Sequence, residues 1–139
     1  MSELPDFDAL ALDAHQGHTR VVGERAFVTA ALSIEAWYLI GVAPSEAPDE
    51  LEPLIAPVQN APHVLVFTDE ERAEAFARAR AEKRSEPSQA PVLHATPTEA
   101  VEYLESLREA GVQGAHFNDG QNAVTCDSSR ISDLAKSRG

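Results

Sequence analysis

Two places where a short apolar strand passes into a capped helix constrain the fold of this chain more than any other feature. Residues 63–67 are rich in β-branched and aromatic side chains, which predicts a buried strand, and Thr68 and Glu71 follow at the spacing of a capping box. Residues 91–95 repeat the pattern before Thr96, where a proline and a glutamate complete the helix start. Strands that alternate with helices in this way predict strand–helix–strand units with parallel strands.

The other elements follow from hydrophobic periodicity and from the positions of glycine and proline. Residues 24–33 are predicted as a helix, although nearby valines keep a strand open as a rival. Asp119-Gly120 predicts a hairpin turn, because glycine accepts the positive φ angle that a tight turn requires. In chain order, the predicted elements are a helix at 6–15, a connector at 16–23, a helix at 24–33, strands at 36–42 and 63–67, a helix from Thr68 to near Ser85, a strand at 91–95, a helix from Thr96 towards Gly111, strands at 114–118 and 121–125, and a helix at 129–137 capped by Asp127, Ser128 or Ser129.

These elements predict an α+β (mixed α/β) fold in a single domain, which suits a chain of 139 residues. We expect about five strands in one mixed sheet, with a C-terminal β-hairpin at one edge and helices packed against the sheet. In this scheme residues 1–35 form a helical N-terminal extension, residues 36–126 form the core, and residues 127–139 form a C-terminal helix.

A proline-rich segment lies between the first two predicted strands. Residues 43–62 contain five prolines, which predicts a long loop because proline lacks a backbone donor. Apolar side chains among acidic ones suit docking into a basic-rimmed groove on another protein. Alternatively, the apolar residues fold back onto the core and the acids keep the loop soluble. The candidate partner-binding residues are Glu46, Asp49, Glu50, Leu51, Glu52, Leu54 and Ile55.

The charge of the chain narrows the classes of partner. It has 23 acidic and 11 basic residues and a formal net charge of −12. Nucleic acids and anionic membranes are not expected as partners, since both are bound through lysine and arginine, whereas a basic protein would be attracted. One cysteine, no membrane-length apolar stretch and no N-terminal leader pattern predict a cytoplasmic protein.

No group of residues in the sequence predicts catalysis, a metal site or a cofactor. His15 and His18 have no cysteine or third histidine close by, and Gly17 is expected to end the helix between them. Cys126 lies across the predicted hairpin from His116, which leaves two alternatives: a thiol activated by an imidazole, or a buried structural cysteine. We find neither a nucleophile elbow nor a glycine-rich phosphate loop.

A second functional hypothesis is a domain that binds a small molecule or an anion. The carboxyl ends of parallel strands meet at one edge of a sheet, and the free N–H groups of helix starts suit an anion. Capping by the two threonines would use some of those donors. The candidate ligand-binding residues are Thr68, Asp69 and Thr96.

Residues 64–73 (VLVFTDEERA) resemble the central motif of the SseB-like family, named for enhanced serine sensitivity. Residues 114–120 (GAHFNDG) are similar to a later hairpin of that family, although Asp119 stands where proline is usual. The resemblance spans about residues 36–126 and implies a small, mostly bacterial mixed α/β fold with no established catalytic residues or cofactor. The acidity of the chain, the absence of a catalytic set and the acidic loop with its apolar residues lead us to expect a non-enzymatic bacterial accessory or regulatory protein that binds another protein, for example by masking a basic partner as an immunity protein does.

Overall fold

The computed structural model describes residues 5–15, 20–43, 50–120 and 122–137, and it confirms the α+β class. The elements that those residues form are α1 (Phe7–Ala14), α2 (Arg20–Ala31), β1 (Trp37–Val42), β2 (Glu52–Pro53), β3 (Ile55–Val58), β4 (Ala61–Val66), α3 (Glu70–Lys83), β5 (Val92–Ala95), α4 (Pro97–Leu107), β6 (Gly114–Phe117), β7 (Val124–Asp127) and α5 (Ser128–Ser137). The strands lie in two sheets, with the orders β2-β1-β5 and β3-β4-β6-β7.

The two sheets are joined beside β1. This strand pairs antiparallel with β5 over four residue pairs. On its other side, Tyr38 and Phe67 exchange two backbone hydrogen bonds of 2.9 and 2.8 Å, which connect β1 to the end of β4. β4 then runs parallel to β6, and β6 runs antiparallel to β7. The order β5-β1-β4-β6-β7 therefore forms one layer of strands across the molecule.

This pairing corrects the predicted sheet. The strands expected to be parallel neighbours at 63–67 and 91–95 lie in different sheets, because β5 pairs with β1. The parallel pair is β4 with β6, and the antiparallel hairpin at the edge is confirmed. Hydrophobic periodicity indicates which face of a strand is buried, but it does not specify which strand lies beside it.

The prediction of a loop throughout residues 43–62 is wrong for its second half, which contains β2, β3 and the start of β4. The prolines fit because of their register: Pro57 is paired with Pro62, and Ile55 with Val64. In an antiparallel pair of strands, residue pairs that exchange backbone hydrogen bonds alternate with pairs that do not, and these two pairs are of the second kind. Neither proline therefore has to donate a backbone hydrogen bond.

A tight turn joins β3 to β4. Gln59 and Asn60 both have positive φ angles, of 53° and 68°. Two consecutive positive φ angles define the type I′ turn that suits the twist of a two-residue hairpin. Residues 59–60 are Gln-Asn and not the Asn-Gly or Asp-Gly pair by which such turns are usually recognised, so this hairpin was not predicted.

The helices α1 and α2 contribute side chains to the larger of two hydrophobic cores. α2 begins at Arg20, so the predicted connector at 16–23 is wrong from that residue onwards, and the rival strand is excluded. Phe27 of α2 contacts both Phe7 and Phe117, with ring centroids 5.1 and 5.5 Å apart. Phe117 in turn contacts Trp37 edge to face at 5.1 Å. This chain of aromatic rings ties α1 and α2 to the centre of the sheet.

Helices cover both faces of the strand layer. The larger core holds α1, α2, α4 and α5 against one face, and the smaller core packs α3 against Ile40, Leu65 and Phe67 on the other.

α5 begins one residue earlier than predicted, and the side chain of Asp127 accepts the backbone N–H of Arg130 at 3.0 Å, as a helix cap does. Among the described helices, we find none with the length and apolar composition to cross a bilayer.

Candidate partner-binding surface

The proline-rich segment exposes two of its three apolar candidates. Leu51 is 48% exposed and Ile55 is 37% exposed, whereas Leu54 is partly buried and packs against the smaller core. Glu50 and Glu52 are exposed beside them. The alternative in which the apolar residues fold back onto the core therefore holds for Leu54, but not for the other two. We call Glu50, Leu51, Glu52 and Ile55 the β2–β3 patch; Glu46 and Asp49 lie outside the described residues.

The backbone of this patch is held on both sides. The amide of Leu54 donates to the carbonyl oxygen of Ile40 at 2.8 Å, and its own carbonyl accepts from the amide of Leu65 at 3.1 Å. Leu54 thus lies between β1 and β4 at the point where the two strands diverge. The side chains next to it are consequently presented to solvent by a fixed extended backbone.

The first helix start has a different cap from the one predicted. Asp69, rather than Thr68, caps α3, because its side chain accepts the backbone N–H of Arg72 at 2.8 Å. Thr68 is buried and pairs with Asn118: the amide of Thr68 donates to Asn118 Oδ1 at 3.0 Å, and Asn118 Nδ2 donates to Thr68 Oγ1 at 2.9 Å. Thr68 therefore joins the β4–α3 junction to the end of β6.

The second helix start forms the predicted capping box. Glu99 N donates to Thr96 Oγ1 at 3.2 Å, and Thr96 N donates to Glu99 Oε1 at 2.9 Å. The hydrogen bond that the backbone of Thr96 donates to the Glu99 carboxylate lowers the pKa of that group. Each helix start thus carries a carboxylate, Asp69 or Glu99, that accepts backbone donors and repels an anion. Thr68 and Thr96 do lie near each other in the fold, because each follows a residue that is paired with the start of β1. The two carboxylates nevertheless disfavour the anion-binding alternative.

The register of the last hairpin separates the cysteine from the histidine. β7 runs from Val124 to Asp127, not over the predicted 121–125, so Thr125 is paired with His116 and Cys126 with Ala115. Paired residues share a face of the sheet and successive residues alternate between faces. Cys126 consequently faces the larger core while His116 faces the other side, and the hypothesis of an activated Cys126–His116 pair is wrong.

Burial raises the pKa of the Cys126 thiol to about 12. At about pH 8 only about one thiol in ten thousand would then be ionised, and the thiolate is the reactive form. We expect no detectable iodoacetamide adduct on the native protein by mass spectrometry, and complete alkylation in concentrated urea. Rapid alkylation of the folded protein would contradict the buried position of this side chain.

A hydrogen-bonded group at the same hairpin was missed from the sequence. His116 Nδ1 lies 2.8 Å from Thr125 Oγ1, and His116 Nε2 lies 2.9 Å from Asp119 Oδ1. The order carboxylate, imidazole and hydroxyl is the one that nucleophilic triads use. Here it joins two strands and the turn between them, with the imidazole buried, so the role that follows from the geometry is to fix the hairpin. The correct strand register would have been needed to find it.

A polar depression of about 390 Å³ lies at the β7 edge and includes His63 and Thr125 in its lining. Its charged groups satisfy one another, because Arg130 Nη1 is 2.9 Å from Glu24 Oε2 and the amide of Arg130 is bound by Asp127. In the part of the chain that the structure describes, no three acidic, histidine or cysteine side chains come together as a metal site.

Comparison with known proteins adds no relative: no family model matches the chain, and no curated protein matches it. Membership of the SseB-like family therefore stays a prediction from the motif at residues 64–73.

Proposed function

We propose that this protein acts by binding a basic partner protein through the β2–β3 patch. The observation that carries the proposal is the exposure of Leu51 and Ile55, two large apolar side chains, beside the carboxylates of Glu50 and Glu52. A non-enzymatic accessory or regulatory role, such as masking the basic surface of a partner, is the function that this patch supports best.

The two kinds of side chain in the patch contribute differently to binding. Leu51 and Ile55 supply apolar area that gains free energy when a partner removes it from water. The glutamates, within a chain of net charge −12, attract a basic surface and select against an acidic one. Affinity should therefore fall as salt is raised, without being abolished.

The matched control for this patch is Leu12 on α1, which is 56% exposed. We expect the immobilised double variant Leu51→Ser with Ile55→Ser to retain about one tenth of the partner that the wild type retains, or less, because loss of apolar anchors at an interface costs much of the binding free energy. Leu12→Ser, which removes a similar exposed side chain elsewhere, should retain the wild-type amount.

The measurement is quantitative mass spectrometry of proteins retained from a lysate of the source organism by immobilised wild type and both variants, at low and moderate salt. The informative proteins are those retained by the wild type and by Leu12→Ser but lost from the double variant. If every protein that the wild type retains is retained equally by the double variant, the proposal is wrong.

A further inference from the structure

An apolar cavity of about 220 Å³ lies between α4 and the strands β1, β4 and β5. Its walls are formed by side chains of the strand layer and of the helix, among them Trp37, Leu39, Val64, Leu93 and Leu104. Pockets that enclose a whole ligand usually measure about 300–1,000 Å³, while an apolar cavity of about 150 Å³ accepts benzene. The cavity therefore has the size of one large apolar side chain.

The cavity adjoins the β2–β3 patch at Pro53. Pro53, which follows Glu52, lines the cavity and is paired with Gly41, on the face of β1 that carries Leu39. Ile55 is paired with Val64, another side chain of the cavity wall. Because paired residues share a face, Pro53 and Ile55 lie on the face of the sheet that carries the cavity. An exposed side chain of the patch, Ile55, is thus paired with a residue of the cavity wall.

The polar groups at the cavity carry mainly negative charge. Glu99 lines it, and burial together with the nearby charge of Glu52 raises the pKa of the Tyr103 phenol. His94 also lines the cavity, and it lies near enough to Glu99 to act electrostatically on that carboxylate. An apolar side chain that enters past these carboxylates is favoured when its neighbours in sequence are basic.

We propose that this cavity receives one apolar side chain, of the size of leucine or phenylalanine, from a basic segment of the partner, whose lysine or arginine residues face Glu50 and Glu52. The proposal rests on the proposed function and specifies the chemistry that the partner must present. The β2–β3 patch holds the segment, and the cavity selects the residue at its centre.

The test uses two synthetic peptides, Lys-Lys-Phe-Lys-Lys and Lys-Lys-Ala-Lys-Lys, with blocked ends, and nuclear magnetic resonance titration of the isotopically labelled full chain. We expect the phenylalanine peptide to bind at least about tenfold more tightly than the alanine peptide, with shifts at Trp37, Leu93 and Tyr103. Glu-Glu-Phe-Glu-Glu should bind much more weakly than the lysine peptide with the same centre.

Two variants fill the cavity from half-buried positions on β5: Leu93→Phe and Ala95→Leu. Each should remove the preference for phenylalanine while leaving the weak binding of the alanine peptide unchanged; a thermal melt shows which of them keeps its fold. The double variant Leu51→Ser with Ile55→Ser should weaken both lysine peptides.

Equal binding of the two lysine peptides, or no binding by either, overturns the cavity proposal. The proposed function is judged separately, by partner retention on the β2–β3 patch variants, so the two failures are distinguishable. Self-association of the wild type that Leu93→Phe abolishes would identify a second copy of this chain as the occupant, which also overturns the proposal. Tight binding of the glutamate peptide would contradict the basic character of the segment.

Discussion

Replacing Gly114 with alanine is expected to be the most destabilising of the substitutions considered. A Cβ atom at this position would overlap the carbonyl oxygen of Cys126 and lie 2.6 Å from Cα of Asp127. Both atoms belong to the backbone of β7, which is paired with β6 and leads directly into α5. Because a backbone cannot turn away as a side chain can, the two strands must separate, and we expect a loss of about 3 kcal/mol or more in the free energy of unfolding.

The measurement is urea unfolding followed by circular dichroism, and Gly41→Ala is the matched control. Gly41 also lies in a strand, but its added Cβ would meet the end of the Leu93 side chain, with 3.1 Å to Cγ. A flexible side chain can shift, so the control should lose at most about 1 kcal/mol. Similar stabilities of the two variants would show that β6 and β7 do not approach each other as closely as described.

Replacing Asn118 with alanine is expected to cost about 3 kcal/mol, from two separate causes. The amide and the hydroxyl of Thr68 both lose their partner in a buried place, where unsatisfied polar groups are costly. In addition, Asn118 has a φ angle of 54°, a conformation that asparagine tolerates better than alanine does. Urea unfolding of the variant gives the total cost.

Asn118→Gly separates the two causes, because glycine adopts a positive φ freely but supplies no side chain. We expect it to recover about 1 kcal/mol relative to alanine and to remain well below the wild type. Asn122→Ala serves as a comparison from the same hairpin, since Asn122 is bonded to the half-exposed carboxylate of Asp8. If Asn118→Ala were no more destabilising than Asn122→Ala, the Thr68–Asn118 pair would not be a structural link.

Much of the fold could be predicted because its elements are marked locally. The strand at β4, the capping box at Thr96 and the helices α1, α3 and α4 each depend on residues within a few positions of one another. The cap of α3 was predicted one residue early, at Thr68, and the start of β7 three residues early, at 121. Register decides the fate of the cysteine hypothesis, because it places Thr125 opposite His116 and turns Cys126 to the other face.

The arrangement of the strands could not be predicted, because it depends on partners distant in sequence. Nothing near residues 92–95 shows that their partner is β1, and nothing near Pro57 shows that another proline lies opposite it. The candidate surface was found in part: the sequence indicated apolar residues among acids, but only the contacts of Leu54 reveal which of them faces the core. The cavity beneath α4 could be found only once the strands that line it had been placed.

The contacts between α2 and α5 have a consequence for synthesis on the ribosome. Phe7 and Phe27 pack in the same core as Ile131 and Leu134, and Glu24 pairs with Arg130 across 106 positions of sequence. Such distant contacts make folding slow, since the entropy of closing long loops is lost before the contacts form. The nascent chain must therefore carry an incomplete hydrophobic core until α5 has emerged from the exit tunnel.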